Sequence, residues 1–196
     1  MEAMVRKYQQ KLRKVRDEMD RWNELQSRLL RQFRNASLII ERLPVLQESK
    51  NYHRLACISG IREDVVVNQM ESLETILFSM KMTIQEFHGV VLSLEKILRD
   101  GRQLVKGGSM VPTVEQMELK VGIKPSLADC LERLTVLHEM HHSEYLLKSS
   151  VVAVVPTLVF KPSGGDLGAL HQLLVDQPNI PREEVEFIFG VIFAED

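Results

Sequence analysis

Twelve positions in the first 43 residues (Val5, Tyr8, Leu12, Val15, Met19, Trp22, Gln26, Leu29, Phe33, Ala36, Ile40 and Leu43) follow a 3–4–3–4 spacing without a slip. All but Gln26 are apolar or aromatic. That period belongs to one face of a helix, whereas strand side chains alternate every second residue. The spacing predicts a long helix with a coiled-coil-like seam, in which a lone polar residue such as Gln26 fixes register or partner. Pro44 lacks an N–H and disfavours helical geometry at Leu43, so it is expected to end or kink this helix.

The design repeats downstream. Val66, Met70, Leu73, Leu77, Met80, Ile84, Phe87, Val91, Leu94 and Leu98 keep the same spacing. Leu55, Ile58 and Ile61 are expected to belong to an earlier turn, with Gly60 weakening the connection between them. Gly101 and then Gly107-Gly108-Ser109 mark where the second helix frays and stops. Two long helices joined through residues 44–54 are most simply an antiparallel hairpin. Residues 107–125 read as a linker. Ser126 can then cap a third helix with Asp129 at its positive end, although Glu would complete a capping box better. Its leucines carry it to about Pro156, with a strand over Val151–Val155 as the minority reading. Asp166 caps a short helix through about Asp176, and Pro181 opens another that ends near Phe193.

The chain is therefore expected to be an elongated all-α protein. Residues 1–106 form the long hairpin, 107–125 the linker, and 126–196 a third long helix and short C-terminal helices packed on the hairpin. With 10 Gly, 7 Pro and 6% aromatics, a sandwich or barrel of many short turns is excluded. No apolar run approaches the roughly 20 residues of a membrane span, and the first residues lack the apolar stretch of a secretory signal. Cys57 and Cys130 cannot make a disulfide framework and read as reduced thiols, which points to the cytoplasm or nucleus.

The net charge of -2 hides an asymmetry. Residues 1–43 hold 11 Lys/Arg against 6 Asp/Glu, and residues 107–196 hold 6 against 13. The basic front and acidic rear pair with each other or face different partners. Basic side chains outside the seam, Arg13, Lys14 and Arg16 foremost, suit an acidic or phosphate-rich surface. Acidic Asp17, Glu18, Asp20 and Glu24 interrupt the stripe and argue against direct base reading.

His138-Glu139-Met140-His141-His142 matches H-E-x-x-H, the zinc-hydrolase pattern in which two histidines grip the metal and the glutamate activates water. No further Gly and His follow at the required spacing, and the mixed scaffold of such enzymes is missing, so these histidines are assigned to the rim of a helix interface. Lys106 precedes Gly107 and Gly108, the wrong order for a phosphate-binding loop, and neither cysteine has an assignable base. No cofactor, metal or catalytic residue is therefore assigned, and the chain is read as a non-enzyme.

Pro125-Ser126-Leu127-Ala128-Asp129-Cys130-Leu131-Glu132, followed by Tyr145-Leu146-Leu147-Lys148, resembles the C-terminal helix of a small vertebrate family. That family comprises the ribosome maturation factor that works with spermatogenesis-associated AAA ATPases and, more distantly, the cyclin-dependent-kinase-interacting protein of the same assembly. Val121-Gly122-Ile123 and the ending Ile192-Phe193-Ala194-Glu195-Asp196 fit the same outline. The resemblance implies a non-catalytic adaptor subunit of a large complex, linked to AAA ATPase-assisted ribosome maturation. The alternatives are a nucleic-acid or ribosome-surface binder using the basic first helix and, remotely, a zinc hydrolase. Expected partners are proteins of the complex or a second copy, and no membrane. Candidate contact residues are Arg13, Lys14, Arg16, Trp22, Gln26, Leu29, Tyr145 and Lys148.

Overall fold

In the computed structural model the first seam lies on α1 (Glu2–Gln47) and the second on α2 (Ile61–Lys106), 46 residues each. The structure describes residues 2–55, 57–106, 113, 117–118, 125–160 and 164–192; side chains are described within these except at 2–9, 12, 104–106, 191 and 192. α3 (Leu127–Val154), α4 (Gly164–Asp176) and α5 (Arg182–Ile192) follow, with 3-10 turns at Ser49–Leu55 and Val155–Val159. The described residues include no strand, and α1 and α2 pack against each other, so the fold is all-α.

Two local expectations need correction, and a minority reading falls. α1 does not end at Pro44 but runs one turn past it to Gln47. The ring forfeits one backbone hydrogen bond, and Pro44 sits exposed in the last turn, where little packing depends on the helix axis. α2 continues through Gly101, which is buried, to Lys106, since tertiary packing overrides the low helix propensity of a glycine. Val151–Val154 belong to α3, with Val151 and Val152 buried on one side of it. The strand reading falls there, since β-branched residues enter a helix when tertiary packing rewards them. The linker expected over 107–125 lies almost wholly outside the described residues.

Other local signals act as their chemistry directs. Gly60 takes φ +79° just ahead of α2, a left-handed conformation suited to glycine, and its carbonyl accepts from Asp64 N at 2.9 Å. Ser126 and Asp129 close a reciprocal box at the start of α3. Asp129 N donates to Ser126 Oγ at 3.1 Å, and Ser126 N donates to Asp129 Oδ2 at 3.0 Å, so the shorter carboxylate suffices.

The described residues group into two compact units. Unit 1 draws on residues 1–24, 87–146 and 177–196, and unit 2 on residues 25–86 and 147–176. In unit 1, α1 and α2 pair through Lys11–Asp100, Glu18–Ser93 and Trp22–Phe87. In unit 2 they pair through Arg28–Glu86, Gln32–Ser79 and Arg42–Gln69. In each series one number rises as the other falls, which makes the helices antiparallel. Val15, Met19, Trp22, Phe87, Val91, Leu94, Leu134, Leu137 and Ile188 fill unit 1. Leu25, Leu29, Phe33, Ile40, Leu73, Met80, Val151, Leu167 and Leu174 fill unit 2. Thus the seam is widened by flanking positions such as Leu25 and Ile39, as a helix needs when it is covered by more than one neighbour.

Candidate interaction sites

The candidate residues divide into an outer and an inner set. Arg13, Lys14 and Arg16 are exposed on α1, off the seam. Arg13 and Lys14 form no ion pair with a described residue, and the Arg16 guanidinium lies 5.8 Å from the centre of the Phe189 ring on α5. Tyr145 is half-buried and stacks on exposed His88 with ring centres 5.1 Å apart. Trp22, Gln26, Leu29 and Lys148 are all inside, between 0% and 8% exposed.

In unit 1 the Trp22 indole meets the edges of Phe87 and His141, at 4.5 and 4.8 Å between ring centres. These edge-to-face contacts suit the ring quadrupoles. The indole N–H donates to Gln177 Oε1 at 2.9 Å. Gln177 follows α4 with φ +45°, a left-handed conformation that costs a side-chain-bearing residue roughly 1–2 kcal/mol. The indole bond contributes about 1 kcal/mol toward holding it there. Two residues on, Asn179 donates from both its backbone N and its Nδ2 to Glu144 Oε2, each at 3.1 Å. Glu144 is fully buried on α3, so this carboxylate fixes the segment leading into α5. Neither Gln177, Asn179 nor Glu144 carries a sequence signal, because their partners lie far along the chain.

In unit 2 the polar seam residue Gln26 is satisfied from both ends. Lys148 Nζ, fully buried, donates to Gln26 Oε1 at 2.8 Å, and Gln26 Nε2 donates to the Leu174 carbonyl at 2.6 Å. Gln26 thus sets the register of α1 against α3 and α4 within the chain itself. Nearby, Gln32 donates to Ser79 Oγ at 2.7 Å and accepts from Thr83 Oγ1 at 3.0 Å.

The H-E-x-x-H segment lies on α3. His138 and His142 stack with ring centres 5.9 Å apart, and burial followed by the neighbouring His142 pushes the His138 imidazole below its ordinary value. Glu139 is exposed, while His141 is buried with Nδ1 on the Leu137 carbonyl at 2.7 Å. Among the described residues no three His, Cys, Asp or Glu side chains are grouped to hold a metal. Burial, reinforced by Asp129, pushes the Cys130 thiol up to about 11, which suppresses the thiolate a nucleophile needs. No described helix is long and apolar enough to cross a membrane.

The order of helices, the Ser126–Asp129 start of α3 and the Tyr145–Lys148 segment all lie within residues 2–196, and that whole span matches the family described as ribosome biogenesis protein C1orf109-like. The chain belongs to this family. No curated protein matches the chain. The family match bears out the resemblance noted for residues 125–132 and 145–148, and it extends over the basic first helix as well as the acidic rear.

Proposed function

We propose that this chain is a non-catalytic helical adaptor in ribosome biogenesis, a subunit that holds other proteins of a larger complex, an AAA ATPase among them. The observation that carries this reading is the family match over nearly the whole chain. The interior supports it: the seams are filled by the chain's own α2, α3 and α4, so contacts with partners fall to the outer residues. Arg13, Lys14 and Arg16 present a basic face suited to an acidic protein surface. A scaffold working in the nucleus, the cytoplasm or both fits the same family.

The test is co-sedimentation of the tagged chain with ribosome precursors on density gradients, with mass spectrometry of what it retains. We expect it to travel with precursor particles and to retain an AAA ATPase. Glu139→Gln is expected to leave that association intact, whereas a zinc hydrolase would lose its general base. Absence from precursor fractions would overturn the reading.

A second reading is favoured by the exposure of all three basic side chains: direct contact with RNA phosphates on the ribosome surface. Reversing Arg13, Lys14 and Arg16 together would then reduce the salt dependence of binding by roughly two to three units of log–log slope. An unchanged slope with weakened protein association keeps the first reading.

A further inference from the structure

The outward stripe of α2 carries a pattern that matches its own reverse. Counted from Gln85, Phe78 and Leu92 each lie seven residues away, Glu74 and Lys96 eleven, and Glu71 and Arg99 fourteen. These steps are close to two, three and four helical turns, so all seven residues share one stripe. All seven are exposed, and the two apolar ones strongly so, Phe78 at 66% and Leu92 at 48%. Glu71, Glu74, Lys96 and Arg99 form no ion pair with a described residue. The stripe is therefore acidic toward its start, basic toward its end and apolar between, with every one of these charges available.

We propose that this stripe docks a second copy of the chain, the two α2 helices lying antiparallel about a two-fold axis at Gln85. Phe78 then meets Leu92 of the second copy, Glu74 meets its Lys96, and Glu71 meets its Arg99, each pair occurring twice. The charge order selects this occupant. A uniformly basic or uniformly acidic segment would be repelled along half the stripe, and a parallel copy would set Glu71 against Glu71 and Arg99 against Arg99. Lys81, the one further charge on the stripe between Glu71 and Arg99, falls opposite Gly89. A Cβ on Gly89 would meet nothing within 4 Å, so packing inside the chain gives no reason for this weak helix former. Room for the Lys81 stem of a second copy gives it one. The apolar pairs supply the attraction, and the exposed ion pairs, each weak alone, fix direction and register. The stripe is about 42 Å long at ~1.5 Å per residue. One helix face per copy is a small interface, so the dimer is expected to be weak and concentration-dependent. The proposal goes beyond the adaptor reading and does not depend on it.

The experiment is sedimentation velocity of the full chain from about 1 μM to about 500 μM, a range that captures weak association. We expect a monomer–dimer equilibrium in the wild type. Glu71→Lys/Glu74→Lys makes the stripe basic throughout, and Lys96→Glu/Arg99→Glu makes it acidic throughout. Each double variant alone should dimerise at least tenfold more weakly, with unchanged circular dichroism. An equimolar mixture of the two should dimerise again, because every reversed residue then meets its opposite. The fourfold variant carrying both changes should dimerise by itself, which a parallel arrangement would forbid. Phe78→Ser, at a solvent-facing position, should weaken the dimer at least tenfold and keeps the test decisive even if a charge variant misfolds. A wild type that stays monomeric at every concentration overturns the proposal. A dimer indifferent to the charge reversals or to Phe78→Ser, or a mixture or fourfold variant that stays monomeric, overturns it equally. The adaptor reading is tested separately by co-sedimentation with ribosome precursors, so the two failures are distinguishable.

Discussion

Units 1 and 2 are built on the same apolar period, yet they deploy polar groups in opposite ways. Unit 1 keeps them at the margin of an aromatic cluster, where Trp22 and Glu144 reach outward to hold Gln177 and Asn179. Unit 2 runs them through its interior, with Gln26 between the Lys148 ammonium and the Leu174 carbonyl. Loss of the Trp22–Gln177 bond in unit 1 therefore loosens a part-buried connection, whereas loss of the Lys148–Gln26 bond in unit 2 leaves an interior amide oxygen without its donor. An orphaned buried group costs more than the bond it made.

The largest effect is expected where unit 2 has no polar partner to offer. Leu29→Asp puts a carboxylate at a fully buried position and should cost about 4 kcal/mol or more, enough to unfold the chain. Arg28→Ala breaks a half-exposed pair with Glu86 and should cost less than about 1 kcal/mol. Chemical denaturation of both variants checks the contrast, and equal losses would mean the buried face is misassigned.

Next in size is the interior bond itself. Lys148→Ala should cost about 3 kcal/mol, because it strands Gln26 Oε1 and removes a buried stem. Lys148→Met combined with Gln26→Leu should recover part of the loss, the Leu174 carbonyl still lacking its donor, and a double-mutant cycle measures the coupling directly. If Lys148→Met alone were neutral, the contrast between the units would collapse.

For unit 1 a smaller loss is expected. Trp22→Phe removes the indole donor and should cost about 1–2 kcal/mol. Gln177→Gly in that background should restore about 1 kcal/mol, because glycine adopts φ +45° without a side-chain penalty. Thermal melts of the single and double variants sharpen the assignment of strain to Gln177.

The smallest effect is a pH dependence confined to unit 1. The His138 imidazole titrates below its ordinary 6.5 in the folded chain, so the unfolded chain takes up its proton first. The contribution is present above pH 6.5 and is lost as pH falls from there toward the lowered folded value. Melts between pH 7.5 and 5.5 should show the wild type losing slightly more stability than His138→Gln, and identical losses would refute this.

How much of this was readable in advance follows from the range of the interactions. The long helices and the start of α3 were legible because their determinants, the 3–4 spacing and the Ser126–Asp129 pair, act over a few residues. Gly101 misled because propensity is a local preference that burial overrides, and Pro44 because a proline in an exposed last turn forfeits only one hydrogen bond. Gln26 stood out as the polar break in the seam, but Lys148 lies 122 residues away and the pair has no local pattern. Trp22 read as a seam residue, and its Gln177 partner, 155 residues on, carried no signal at all. The outer set was legible as charge, since Arg13, Lys14 and Arg16 fall off the seam by simple counting.

That separation of 155 residues between the Trp22 indole and its acceptor has a consequence for biosynthesis. At roughly 5–20 residues per second, a ribosome delivers Gln177 about 8–30 seconds after Trp22. Throughout that interval the nascent α1 presents its apolar seam with the last pieces of both units still unsynthesised. Unit 1, assembled from three stretches of sequence, closes only after unit 2 has been read through, so the chain is held open by its own order of translation and exposed to chaperones for most of its synthesis.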